Sequence, residues 1–230
     1  MSEATHETVP TQFIQVRDAR IAYRRFGKLG AYPLLLLNYF AANMDDWDPR
    51  ITNGLAASRD VIILDYPGIG RSTGATPSTV ATMTHDLVGF CLTPGLDIFD
   101  VVGFSLGGMI AQQLAFEFGG MVNRMILLGT GPRGGEGMTF TELSIDELSD
   151  PEKLLMNAFF TPSDASQAAG RAYLERLKLR VSDRDEPVST KAAIAQLGSI
   201  REWGTIPLEN RFAMLARFVS QRSSCTAART

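Results

Sequence analysis

Residues Val101–Gly108 read Val-Val-Gly-Phe-Ser-Leu-Gly-Gly, and Gly103-Phe104-Ser105-Leu106-Gly107 fits the G-x-S-x-G pattern of a nucleophile elbow. An apolar β-type run from Asp100 to Phe104 enters the pattern, and a helical run from Met109 to Phe118 leaves it. Gly103 and Gly107 present no Cβ, so a strand can reverse into a helix around one strained serine. The corner lifts the hydroxyl clear of the sheet and aims the N-terminus of the new helix at it. That positive helix end favours negative charge developing beside the serine. The competing reading, a glycine-rich turn with an incidental serine, does not account for the strand before and the helix after.

A corner of this kind needs a sheet to hold it. Phe13–Val16 and Arg20–Phe26 alternate apolar and polar residues around Arg17-Asp18-Ala19, which predicts a hairpin near a sheet edge. Leu34–Leu37 and Val61–Leu64 are unbroken apolar runs, suited to strands buried on both faces. Ile51–Ser58 predicts a short helix. Ser78–Leu92 predicts a longer one, capped by Ser78 or Thr79 and stopped by Pro94-Gly95. Met125–Leu128 supplies a further strand. Strands alternating with helices at short spacing predict an α/β fold: a mainly parallel sheet, helices on both faces, right-handed crossovers. Ligands gather at the carboxyl ends of such strands. Ser105, the Asn38 loop and the Asp65 loop all fall there.

After the glycine-rich loop Gly129–Gly137 the texture changes. Ser144–Glu152, Lys153–Phe160, Asp164–Arg180 and Thr190–Trp203 read as helices with no buried strand between them, a helical excursion placed to form a lid over the strand ends.

The composition excludes several classes. A length of 230 residues suits one domain. A formal net charge of −3 gives no electrostatic footprint for nucleic acid or an anionic membrane. The two cysteines, Cys91 and Cys225, are too few for a disulfide framework and lie in no metal-ligand pattern. Met1–Pro10 lacks the apolar core of a signal peptide, and no apolar run approaches the roughly 20 residues a bilayer requires. The expectation is a soluble, cytoplasmic chain acting on a small molecule, with no metal or organic cofactor.

Four segments carry a resemblance. They are the elbow Gly-Phe-Ser-Leu-Gly-Gly-Met, the loop after Leu37 with Trp47 and Pro49, Asp65-Tyr66-Pro67-Gly68-Ile69-Gly70-Arg71-Ser72, and Gly-Thr-Gly-Pro after the Met125 strand. In their order and spacing, from about Phe13 to Trp203, they resemble the α/β-hydrolase superfamily, in its lid-bearing esterase, lactonase and cofactor-free haloperoxidase branch. The resemblance implies that Ser105 is the nucleophile. An alcohol needs an adjacent base, and the oxyanion formed on attack needs preorganised donors. By the resemblance those donors are the backbone N–H groups of Leu106 and Phe40, with Asn38 supporting the loop. The chain departs from the family at Asn38-Tyr39, where the family usually has His-Gly. Asp65 matches a position that is structural in the family. Trp47 reads as loop packing, and Met83 and Met109 as core.

The family's triad acid and histidine come after the lid, and no counterpart to either segment is legible here. The sequence has two histidines. His6 reads as part of a polar, unstructured tail. His85 lies in a helix packed on the sheet face, turned away from the strand tips. The tail Phe218–Thr230 is polar and out of character. Permissible codons for it, read one base earlier from the last base of the Arg217 codon, can spell LRQPTLVVYGSED, which matches the family's next strand and its terminal acid. The expectation is therefore a core at 11–133, a helical lid at 134–203, and an aberrant or truncated tail at 204–230, the last strands missing. Such a fold exposes an apolar edge near the Met125 strand, partly covered by a helix at Phe212–Phe218. The function expected is hydrolysis of a small ester or lactone through an acyl-Ser105 intermediate, impaired for want of acid and histidine. The alternatives are a non-catalytic remnant or binding module, and perhydrolase or haloperoxidase-like activity at the same serine.

Overall fold

The computed structural model describes residues 4–135, 150–205 and 214–215. Strands β1 (Gln12–Val16) and β2 (Ala19–Gly27) form the predicted antiparallel hairpin, paired from Gln12↔Tyr23 to Val16↔Ala19. Four strands follow: β3 (Leu34–Leu37), β4 (Asp60–Leu64), β5 (Phe99–Phe104) and β6 (Val122–Leu128). The sheet order is β1-β2-β4-β3-β5-β6. β4, β3, β5 and β6 run parallel, and β2 alone runs against them, since β1 is antiparallel to β2 and so points the same way as the other four.

The apolar runs are explained by cover on both faces. Leu35, Leu37, Ile62, Leu64 and Val101 enter one cluster with residues of α2 (Val80–Leu92) and α3 (Leu106–Glu117). Their neighbours Leu34, Leu36, Val61, Ile63 and Val102 enter a second cluster with Met44, Trp47 and Ala56. Ala56 ends α1 (Pro49–Ala56), which starts two residues before Ile51 because the Asp48 carboxylate caps the Arg50 N–H and Pro49 occupies the first turn. Thr79, one of the two expected caps, starts α2. α3 starts at Leu106, three residues before Met109; Gly107 and Gly108 lower the helical signal of its first turn.

Beyond β6 lie α4 (Pro151–Phe159), α5 (Asp164–Leu177) and α6 (Thr190–Gly204). The two helices expected over Ser144–Phe160 are, among the described residues, one. Asp150 accepts from the Lys153 N–H and Pro151 sits in the first turn, so the helix begins there and runs through the expected break. Residues 144–149 lie outside the described ones. α6 sends Ala192, Ala193, Leu197, Ile200 and Trp203 into the larger core cluster. Of the tail, only 204–205 and 214–215 are described, and Met214 packs against that same cluster. Ile126, Leu127 and Leu128 of β6 are 53%, 39% and 42% exposed, so an apolar edge is present among the described residues.

Candidate active site

The four parallel strands end side by side, and each hands over to a loop at the same rim. β5 ends at Phe104, and Ser105 turns the corner into α3 with φ +51° and ψ −112°. This is a left-handed φ that a side chain rarely adopts, and it is held from both sides. The Ser105 N–H donates to the Leu128 carbonyl at 2.8 Å, while its own carbonyl accepts from the Gly108 and Met109 N–H groups at 2.9 and 3.2 Å. The flanking glycines are required by close approach. A Cβ on Gly103 would stand 2.4 Å from the Gly107 carbonyl oxygen, and one on Gly107 would stand 2.2 Å from that of Leu37. The elbow helix thus bears directly on the end of β3, where the loop 38–48 begins.

Asn38 fixes that loop's start. Fully buried, it donates from Nδ2 to the Leu64 carbonyl at 3.3 Å and accepts from the Trp47 indole N–H. Tyr39, at the position where the family usually has Gly, turns its ring among Phe104, Phe159 and Tyr173. Its hydroxyl lies 3.3 Å from that of Tyr173. Trp47 is buried in loop packing, as expected, and also lines an apolar groove of about 400 Å³ floored by Leu36, Val102, Phe104, Ile126 and Leu128. Ser105 is not among that groove's lining residues. Phe40 and Leu106 are buried, and among the described residues their backbone N–H groups donate to no protein acceptor.

The helical segment grips the same loop. Gln196 Oε1 of α6 accepts from the Ala41 N–H at 2.8 Å. Asn43 Nδ2 donates to the Glu186 carbonyl at 3.2 Å, and the Asp185 N–H donates to Asp45 Oδ2 at 2.7 Å. The Tyr173 hydroxyl donates to the Asp46 carbonyl at 3.2 Å, and Arg176 pairs with Asp48 at 2.7 Å. None of these contacts was legible in the sequence. They join residues more than a hundred positions apart, and polar side chains on helices give no periodic signal of their partners.

Beneath the loop lies a buried charge cluster. Arg24 is fully buried and donates to Asp45 Oδ1 at 2.6 Å and Asp185 Oδ2 at 2.5 Å. Asp65 accepts from the Met44 N–H at 2.8 Å, the supporting contact expected of a structural residue. Its Oδ2 and the Oδ1 of Asp185 are buried and find no donor unless one carboxyl of the pair holds a proton. Burial, then the neighbouring Asp185 charge, holds Asp65 well above the usual carboxylate range.

The histidines stand elsewhere. His6 is not in an unstructured tail. It is 1% exposed, its Nδ1 lies 3.0 Å from the Thr52 Oγ1, and burial pushes it down to about 4. The N-terminal segment folds over α1 because Arg180 donates to the His6 and Val9 carbonyls at 3.0 and 2.9 Å, a contact invisible to local pattern. His6 meets Phe26 edge-on, in the cluster on the α1 face of the sheet. His85 is turned away as expected: its Nε2 lies 3.4 Å from Glu117 Oε2 and its ring meets Phe118. Glu117 ends α3, the helix that Ser105 begins, and twelve residues of helix separate two points by about 18 Å. Among the described residues no group of three His, Cys, Asp or Glu could hold a metal ion, and no helix is long and apolar enough to cross a membrane.

A mainly parallel sheet, a strained serine between its fifth strand and the next helix, and helices added after the sixth strand define the α/β-hydrolase class. The family model described as alpha/beta hydrolase fold matches residues 32–192, and the chain belongs to that family. An alpha/beta hydrolase fold protein from Chitinophaga pinensis superimposes with a TM-score of 0.86 at 39% identity, over 92% of this chain and 78% of that one. A dihydrolipoyllysine-residue acetyltransferase component of an acetoin cleaving system, from Cupriavidus necator, is 35% identical over 46% of this chain and 28% of its own length. The proline iminopeptidase PfmaB of Pestalotiopsis fici is 29% identical over 53% of this chain and 44% of its own length. The chain therefore matches less than half the length of either curated relative.

Proposed function

We propose that this chain is a serine hydrolase that transfers an acyl group from a small ester or lactone to water through Ser105. The observation that carries the reading is the left-handed Ser105 at the β5–α3 corner, with Gly107 of the same turn packed on the Leu37–Asn38 backbone from which the loop carrying Phe40 departs. Strain at a polar residue persists only where the surroundings over-determine it, and such positions cluster at reactive sites. In the reaction the Ser105 oxygen bonds to the substrate carbonyl carbon. The acyl carbon–oxygen bond then breaks, the alcohol leaves with the hydroxyl's proton, and water repeats the attack to release the acid. The Phe40 and Leu106 N–H groups hold the intermediate oxyanion, and the α3 N-terminus adds its partial charge. Gly103 and Gly107 permit the corner, Asn38 fixes the loop, and the helices α4, α5 and α6 serve as a lid shaping an apolar pocket. The names of the two curated relatives both describe acyl chemistry, acetyl transfer in one and peptide cleavage in the other.

Neither histidine lies where it could take the Ser105 proton, so turnover by this chain is slow. A triad stripped of a member retains a residual rate through its oxyanion site and binding contacts. The same observation favours a second reading, a binding module that keeps the pocket without the chemistry. A fluorophosphonate probe separates them. Labelling of the folded wild-type chain that is absent in Ser105→Ala supports the hydrolase. A folded chain that stays unlabelled over hours at millimolar probe overturns it in favour of the binding module.

A further inference from the structure

We infer that Gln196 is a positioning residue for the loop that carries the Phe40 N–H, so that seating of α6 and formation of the oxyanion site are one event. The inference rests on the acyl-transfer reading for its purpose, but its geometry stands alone. Ala41 has φ +54°, a left-handed conformation that a residue with a Cβ adopts only under constraint. Its N–H points at a single acceptor, the Gln196 Oε1 at 2.8 Å, supplied by a helix 155 positions downstream. Gln196 is fully buried, and its Nε2 is buried with no partner. An unpartnered amide donor is unfavourable in the interior. Gln196 is therefore costly to bury, and its defined contact is the one that holds Ala41.

The consequence falls on the residue before. Phe40 and Ala41 share a peptide plane, so fixing the Ala41 N–H and its left-handed φ fixes the direction taken by the chain leaving Phe40. The Ala41 N–H is already bonded, while the Phe40 N–H donates to no acceptor among the described residues. The remaining grips run in the same direction: the Glu186 carbonyl, the Asp185 N–H, Tyr173 and Arg176 hold Asn43, Asp45, Asp46 and Asp48 in turn. Loop 38–48 is anchored to β4 at Asn38, to Asp65 at Met44 and to Arg24 at Asp45, and the segment 173–196 holds it at Ala41, Asn43, Asp45, Asp46 and Asp48.

The test uses the full chain with Gln196→Met, which removes the acceptor at similar volume, and Gln196→Glu, which keeps Oε1. Amide hydrogen exchange reads the loop without any chemistry at Ser105. In Gln196→Met, exchange in the peptide containing Phe40 and Ala41 is expected to rise at least about tenfold, while the α3 amides from Ile110 to Leu114 stay protected; Gln196→Glu restores the loop. Fluorophosphonate labelling of Gln196→Met is expected to slow by at least about tenfold with unchanged half-saturation, as for a misplaced rather than a lost binding group. Loop exchange equal to wild type, or protection lost from α3 as well, overturns the inference. A wild-type chain that never labels overturns the acyl-transfer reading instead, and the exchange result still decides whether Gln196 sets the loop.

Discussion

Gly107 lies so close to Leu37 that a Cβ on it would stand 2.2 Å from the Leu37 carbonyl oxygen and 2.8 Å from that of Asn38. Both obstacles are backbone atoms at the end of β3, so no side chain can swing aside. Gly107→Ala is expected to push α3 off the strand, at a cost of about 3 kcal/mol. Chemical denaturation reads the loss. A variant as stable as wild type would mean that the helix does not bear on the strand as described.

Ser105 carries strain that glycine would not. Ser105→Gly can hold φ +51° without a Cβ penalty, although it also gains freedom in the unfolded chain. The strain term is the larger, and Ser105→Gly is expected to be about 1 kcal/mol more stable than Ser105→Ala. Because both variants lack the hydroxyl, the comparison isolates backbone conformation from chemistry. Equal melting temperatures would remove the strained elbow.

How much of this was legible in the sequence depended on the range of the signal. The hairpin, the buried strands β3, β4 and β5, the half-exposed strand β6 and the Ser105 corner are local patterns of apolar period and glycine spacing, and each is present at the residues those patterns mark. The start of α4 differs from the pattern by a few residues because Asp150-Pro151 acts as the cap and first turn. What failed to show was every polar contact between distant segments. Arg24 alternates as an outward strand residue would, yet it is fully buried. His6 sits in polar surroundings in sequence and apolar ones in space. Gln196 on a helix carries no mark of the loop it holds.

Arg24 supplies the charge that lets Asp45 and Asp185 stay buried. Its removal leaves both carboxylates without their closest cation in a region water does not reach. Arg24→Met is expected to cost about 3–5 kcal/mol, far beyond the loss of one surface pair. Asp45→Asn together with Arg24→Met should recover part of that cost, since the double change removes charge of both signs. A thermodynamic cycle over the four proteins measures the coupling, and simple additivity would show that the cluster is not linked as its distances imply.

The Asp65–Asp185 pair makes stability depend on pH in a direction opposite to that of most carboxylates. Asp65 is held well above the usual range by burial and by the Asp185 charge, so the folded chain keeps a proton that the unfolded chain has released. A raised folded value contributes stability that is complete below the unfolded carboxylate value and declines as pH rises through the folded one. Across that window the slope approaches about 1.4 kcal/mol per pH unit. Asp65→Asn mimics the protonated form: its Oδ1 can still accept from the Met44 N–H, and its amide can donate to Asp185. Asp46, which burial pushes up to about 6, is present in both proteins and cancels in their difference. The stability of Asp65→Asn minus that of wild type is thus expected to be smallest at the acid end and to grow with pH, read by urea denaturation from pH 5 to 9. A difference that stays flat, or that shrinks as pH rises, would mean that the two carboxyl groups share no proton, and the loop after β4 would then need another hold on the segment that carries Asp185.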